Sequence, residues 1–396
     1  MLGSIYIGLS GMDAYAQGLQ TISNNVANLN TLGYKSATTS FSDVYNQGNG
    51  GLTAFTDTAS QQSGDGVRYG QPQINFTEGT LRQTTGDLDL AIQGNGFLTL
   101  TDGTNTFYTR TGQFAVGDDG YIALQGTKQR LVLLDTTGHA VTVNINDKKT
   151  SAPVATTNIT FANNLSSSGT DATVSSINVY DSAGAKHVWQ VALHAAGSTA
   201  PNQWQVTVTD DTGATVGTST LKFGGGVVDP ATAKLTMSQT PTGAAALSVV
   251  LDFSSVTSFS SGTTSTISAG KVDGNALGVL SSVTTDTNGQ VTLTYSNSKT
   301  VTVGAVALAN FANPQNLQRV GNSLFRNPTG TQPTLLTSGA DGVGQLLSKQ
   351  LETSNVDLSQ EFGDLILVQR GFQASSQVVS TANDMIQELF GMRGHG

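Results

Sequence analysis

The sequence predicts a mainly β protein flanked by an α-helix at each terminus. Three observations predict it. Apolar and small residues recur at steps of three and four at both ends, the period of a helix packed along another helix. Between the ends, short alternating runs are separated by Asp-Gly and Thr-Gly dipeptides, as in hairpins in series. Charged residues make up only 11% of the 396 positions against 46 glycines, which suits β structure with uncharged polar surfaces.

The first stripe, within residues 2–29, runs through Ile5, Leu9, Met12, Ala16 and Leu19. It resumes at Ile22, Val26 and Leu29 after one extra step of three. Gly3, Gly8, Gly11 and Gly18 oppose it, each costing about 0.5–1 kcal/mol relative to alanine inside a helix. The segment is therefore expected to fray alone and to become helical when packed, with Gly33 as its stop signal. Residues 34–71 lack periodicity, and Gln47–Gly70 is small and polar, so this span is expected to be an extended linker.

Strand runs begin after Pro72: Phe97–Thr101, Phe107–Thr111, Phe114–Val116, Tyr121–Leu124, Leu131–Leu134 and Val141–Ile145. Turns are expected at Asp102-Gly103, Asp119-Gly120 and Thr137-Gly138. An inner β domain is read over 72–145 and 286–345, with loop-rich sequence after Pro314. An outer β domain is read over 146–285, with strands at Ile177–Tyr180, Val188–Leu193, Trp204–Val208 and Leu247–Phe253. Its core is expected around Trp189 and Trp204, with Ser254–Ser268 as a surface loop or edge. A return linker at 346–356 leads to a helix and tail over 357–396. Asp357 can cap that helix, and Gln360 sits at capping-box spacing. Its seam is Leu365, Val368, Phe372, Ser375, Val379, Ala382, Ile386 and Leu389. Either the two seams pair with each other, or each helix packs on its own nearby domain.

The balance of charges excludes several function classes. A net charge of −9 and an isoelectric point near 4.7 argue against nucleic acid and anionic membrane as partners. There is no cysteine, hence no disulfide or thiolate metal site. The first basic residue is Lys35, so the charged start of a secretory signal is missing, and no run is apolar enough to span a bilayer. Export would then need a route without a cleaved signal. His139, His187, His194 and His395 show no metal-ligand spacing, and neither a nucleophile elbow nor a phosphate-binding loop occurs. Asp87-x-Asp89 and Asp118-Asp119-Gly120 read as turns. No catalytic, cofactor or metal site is expected, and the chain is not read as an enzyme.

Several runs carry a family likeness. The stretch from Ile22 to Lys35, with Asn24, Asn25, Asn28, Gly33, Tyr34 and Lys35, resembles the N-terminal signature of the bacterial flagellar axial proteins that build rod and hook. Gly86–Phe97 and Tyr108–Phe114 resemble the start of their first β domain. Leu351–Leu358 and Val368–Ala374 resemble their C-terminal motif, and Ala307–Asn313 resembles the hook proteins' return into that domain. The size of the 146–285 insertion favours the hook members. The resemblance implies terminal helices that pair as a coiled coil, with two nested β-rich domains inserted between them. It implies a structural subunit of an extracellular, flexible helical tube, a universal joint passing motor torque to the filament. Its partners would be copies of itself, the distal rod, the hook cap, the hook–filament junction and the export apparatus, with no membrane insertion. Phe41 and Tyr45 resemble an aromatic export motif; packing in the linker is the alternative. Hinges would fall within 34–71 and before Asn355. A rigid distal-rod-type protein and an adhesin-like module anchored by the helices are the other readings.

Overall fold

The computed structural model describes residues 2–45, 64–240 and 245–393. They divide into two compact units: 1–145, 284–292 and 302–396 form the first, and 146–283 with 293–301 the second.

In the first unit, helix α1 spans Leu2–Ala27 and helix α2 spans Leu358–Arg393. Asp357 caps α2, its Oδ1 accepting the Ser359 and Gln360 amides at 2.8 and 3.3 Å. α1 stops short of Gly33 because Asn28 turns back on it, donating through Nδ2 to the Asn24 carbonyl at 2.9 Å. Leu29 therefore lies beyond the helix.

The main sheet of this unit orders its strands Gln318–Gly321, Leu324–Arg326, Thr106–Thr109, Phe97–Thr101, Arg130–Leu131, Ile122–Leu124, Thr111–Val116, Asp89–Gln93 and Gln345–Ser348. Leu308–Asn310 joins it on Phe97–Thr101, and Phe97, Tyr108, Ala309, Leu317 and Phe325 cluster beneath. The hairpins expected at Asp102-Gly103 and Asp119-Gly120 form, with Leu98 opposite Thr109 and Ile122 opposite Val116.

Three sequence expectations need correction here. Residues 41–45 and 64–69, read as linker, are paired strands, Phe41 opposite Tyr69; residues 46–63 lie outside the described residues. Residues 346–348 and 350–352, read as return linker, lie in strands that pair with Asp89–Gln93 and Leu81–Gln83. Short strands also occupy 318–326 and 334–336, where loop was expected. In each case the strand has at most six residues, too few for alternation to register, and its partner is distant in sequence.

In the second unit one sheet orders Asp171–Tyr180, Lys186–Ala195, Gln203–Thr209, Thr215–Gly224, Val227–Val228, Leu247–Thr257, Asn158–Asn164 and Ser268–Val272. Residues 293–301 group here rather than with the inner domain. Trp189 and Trp204 are both buried, and Phe161 stacks on Phe253 with ring centroids 4.4 Å apart. The Ser/Thr-rich stretch after Phe253 is tied down by polar side chains. Asn164 Nδ2 donates to the Phe259 carbonyl at 3.0 Å, and the fully buried Ser166 hydroxyl donates to the Gly262 carbonyl at 2.5 Å.

One turn recurs across both units. In Asp135-x-x-Gly138, Asp181-x-x-Gly184, Asp210-x-x-Gly213 and Asp286-x-x-Gly289, the Asp Oδ1 accepts the amides two and four residues on, at 2.8–2.9 and 2.8–2.9 Å apart from 3.0 Å at Thr212. Each Gly adopts a positive φ, from 78° to 87°.

Candidate assembly site

The terminal helices run antiparallel against each other: Gly8 faces Val379, Gly11 faces Ser375, Gly371 faces Tyr15, Gly18 faces Val368 and Asn25 faces Glu361. The face of α1 turned to α2 thus carries three glycines, Gly8, Gly11 and Gly18, together with Tyr15 and Asn25, most of them absent from the expected seam. A Cβ on Gly8 would come within 2.6 Å of Val379 Cγ2, and one on Gly11 within 2.6 Å of Ser375 Oγ. Glycine here trades helix propensity for close approach of two backbones. Ile22 is buried and Ile5, Met12, Leu19, Val26 and Leu29 are half-buried, while Leu9 and Ala16 are exposed. On α2, Val368 and Ala382 are buried, and Leu365, Ser375, Val379 and Ile386 are half-buried, as a seam requires. Phe372 and Leu389 are exposed. The N-terminal stripe is therefore offset from the expected one, because pattern counting weights large apolar residues and overlooks glycine.

A contrast follows from this packing. Gly3 has open space around it, so Gly3→Ala is expected to stabilise α1 by about 0.5–1 kcal/mol. Gly8→Ala meets both Val379 and the Ser375 carbonyl and is expected to loosen the pair. Helix content of the two variants by circular dichroism should move in opposite directions; a matching gain in both would remove the close-approach argument.

The second face of α1 is covered by the strand pair 41–45 and 64–69. The Val67 amide donates to Ser10 Oγ at 3.3 Å, and Thr21 Oγ1 shares a 2.5 Å hydrogen bond with Tyr69 Oη. The Phe41 ring lies 5.4 Å from Tyr15 and 6.0 Å from Tyr69. Phe41 is thus committed to folded packing, and Tyr45 takes part through its backbone, opposite Gly64.

Below the helices the chain passes twice, outward at 33–37 and back at 352–356, and the two passes are bolted together. Asn25 Nδ2 donates to the Glu361 carboxylate and to the Ala37 carbonyl, both at 2.8 Å, while its Oδ1 accepts the Tyr34 hydroxyl and the Ala37 amide. Gly33, at φ 64°, donates its amide to the Glu352 carbonyl at 2.9 Å. Asn355 Oδ1 accepts the Ser36 amide at 2.7 Å. The Arg319 guanidinium lies over the Tyr34 ring at 4.6 Å and donates to the Lys35 carbonyl.

Lys35 and Glu352 form an ion pair from which water is excluded, both side chains being 0% exposed. Lys35 Nζ also donates to the Thr77 carbonyl at 2.7 Å, Glu352 Oε1 accepts the Gly79 amide at 2.7 Å, and Arg110 Nε lies 3.4 Å from Oε2. Burial pushes the Lys35 pKa down, against the Glu352 charge and hydrogen bond that hold it up. Burial likewise pushes Glu361 up, opposed by Asn25 and assisted by Asp364 and Asp357. Near the helices, the spans at 33–37 and 352–356, next to the hinges expected within 34–71 and before Asn355, carry this polar lock.

The structure brings together Asn25, Gly33, Tyr34 and Lys35 from the N-terminal signature, while Asn24 and Asn28 finish α1. Glu352, Glu361, Arg110, Arg319 and Asn355 were missed as their partners. A signal existed: in a chain with 11% charge and four glutamates, Glu352 lies in the C-terminal motif and Glu361 just after its first run. Among the described residues no group of His, Asp or Glu could hold a metal ion, and no helix is long and apolar enough to cross a membrane.

Family models match in order along the chain. A flagella basal body rod protein model covers residues 5–35, and a flagellar hook protein FlgE/F/G D1 domain model covers 91–164. A flagellar basal body protein FlaE D2 domain model covers 144–318, and a flagellar basal body rod FlgEFG C-terminal model covers 347–392. The chain is 31% identical to the flagellar hook protein FlgE of Escherichia coli over 97% of its own length and 98% of that protein. It is 30% identical to that of Salmonella typhimurium, again over 97% and 98%. The crystal structure of Helicobacter pylori flagellar hook protein FlgE2 superposes with a TM-score of 0.50, over 69% of this chain and 100% of that one. At 14% identity this likeness concerns the fold.

Proposed function

The chain belongs to the flagellar hook protein family, and from that premise we propose that it polymerises through its paired terminal helices into the flexible tube that couples motor to filament. The observation that carries this reading is the helix pair itself: Ile366, Leu367 and Phe390 stand 57%, 69% and 69% exposed on α2. Apolar side chains in such number on one helix mark a surface that another protein covers. Copies of the same chain are the partner the tube requires. The distal rod, the hook cap, the hook–filament junction and the export apparatus are the further partners of this role, and the outside of the cell is its place. The role is structural and needs no catalytic residue, cofactor or metal.

The helix pair with its polar lock, inside the first unit, is the assembly element; the β-rich part of the first unit is the inner domain and the second unit the outer one. Phe41 and Tyr45 serve export in the unfolded chain and strand pairing in the folded one. The named relatives match over almost the whole chain, outer unit included, which favours the hook over a rod-type or adhesin-like protein. Purified monomer is expected to gain helical circular dichroism on assembly, since α1 carries glycine at Gly3, Gly8, Gly11 and Gly18. Negatively stained assemblies should be curved tubes. Straight rods, or a monomer already fully helical that forms no tube, would sink the reading.

A further inference from the structure

One face of the hairpin formed by Phe97–Thr101 and Thr106–Thr109 borders a cleft. Thr99 stands directly opposite Tyr108, and Thr101 opposite Thr106, so these four side chains share one face of the sheet. Leu98 and Leu100, on the other face, are fully buried. The cleft lies between residues 140–142 on one side and 330–335 on the other. It has two cavities, of about 430 and 260 Å³, which meet at Thr106, Tyr108, Gln332 and Pro333. The larger is of a size that holds a small organic ligand.

Two hydroxyls on the floor lack a partner. Thr99 is 2% exposed, and its Oγ1 makes no hydrogen bond. Tyr108 is 4% exposed, with its ring edge-on to Phe311 at 4.8 Å. Burial pushes its pKa up, and no hydrogen bond opposes the shift. A buried hydroxyl without a partner is costly, and valine at position 99 would fill the same space without that cost. The half-buried Thr142 and the exposed Gln332 bring a further hydroxyl and an amide to the larger cavity. Val132, Pro333 and Leu335 line it with apolar surface.

This lining is selective. Among the described residues no charged side chain lines the larger cavity, and Arg326 alone lines the smaller, which suits neither a metal ion nor a polyanion. The floor strands are each paired on both sides, so they offer no open backbone ladder to a peptide strand. Hydroxyl and amide groups both donate and accept. Set beside an apolar wall, they match a sugar ring, which carries hydroxyls on its edge and C–H groups on its faces.

We infer that this cleft binds a neutral saccharide, with one ring against Tyr108 and Thr99 in the larger cavity and a second ring beside Arg326 in the smaller. The site lies wholly within the first unit and needs no second copy of the chain.

The test is a titration of the full-length monomer with maltose, cellobiose and N,N'-diacetylchitobiose, followed by saturation-transfer NMR. At least one of these disaccharides should saturate the wild-type chain. Tyr108→Phe removes only the hydroxyl and should raise the half-saturating concentration about three- to tenfold. Thr99→Val should weaken binding as well. It should also slow hydrogen exchange at Leu98 and Leu100 in the sugar-free chain, because the unbonded hydroxyl is gone. Bound sugar should slow the same amides in the wild-type chain. Titration with the methyl glycoside of the sugar that binds separates two sources: undiminished binding marks a glycan chain, and lost binding marks a free sugar. Failure of all three disaccharides to saturate the wild-type chain, or unchanged binding by both variants, overturns the site. Equal saturation by triglycine, which has no hydroxyl-bearing ring, overturns it in favour of a peptide. None of these outcomes bears on assembly.

Discussion

Glu352→Leu is expected to destabilise the first unit by about 3–5 kcal/mol, the cost of leaving a buried charge without its partner. The leucine would face the Lys35 ammonium, the Arg110 guanidinium and the Gly79 amide, all of which Glu352 now neutralises or accepts from. Lys35→Met in the same background should recover part of the loss by removing one stranded cation. The recovery stays partial, because Arg110 keeps its charge while its Nη atoms remain bonded to the Gly96 and Ile92 carbonyls. Hydrogen exchange at Leu98 and Leu100 in the main sheet reads the first unit. Tryptophan emission reads the second unit and should hold its denaturation midpoint. A loss below about 1 kcal/mol would mean that the pair behaves as a solvated surface bridge.

Val379→Asp is expected to abolish polymer while leaving both β-rich units folded. The side chain sits against the Gly8 backbone, where a carboxylate would lose water and gain no donor, since the amides of α1 are spent within the helix. α1 has little helix propensity to absorb such a cost, so the pair separates before the sheets respond. Sedimentation should find all of the variant in the supernatant, with unchanged tryptophan emission. Normal tubes from this variant would remove the seam from assembly.

What could be read from the sequence depended on how local its cause is. A hairpin closed by an Asp and a positive-φ Gly was legible at Thr137-Gly138, because such a turn is specified within five residues. The same pattern at Asp181 and Asp286 was overlooked, though the residues are of the same type. The seam of α2 was legible because Val368, Val379 and Ala382 are apolar or small at helical spacing. The face of α1 was not, since Gly8, Gly11 and Gly18 contribute contact by having no side chain. The strands at 64–69 and 350–352 depend on partners far along the chain, which periodicity cannot show. The lock was half legible: the N-terminal signature marked Lys35, but nothing local to it names Glu352.

The separation of that ion pair, 317 positions, also bears on the order of folding. A contact of such range closes nearly the whole chain into a loop, and contacts of this kind form late. A product truncated before Glu352 would lose the ion-pair partner of Lys35 and Arg110 and have no α2 for α1. The lock therefore ties completion of the first unit to residues in the last tenth of the chain: without Glu352 and α2, neither the buried ion pair nor the helix pair can form.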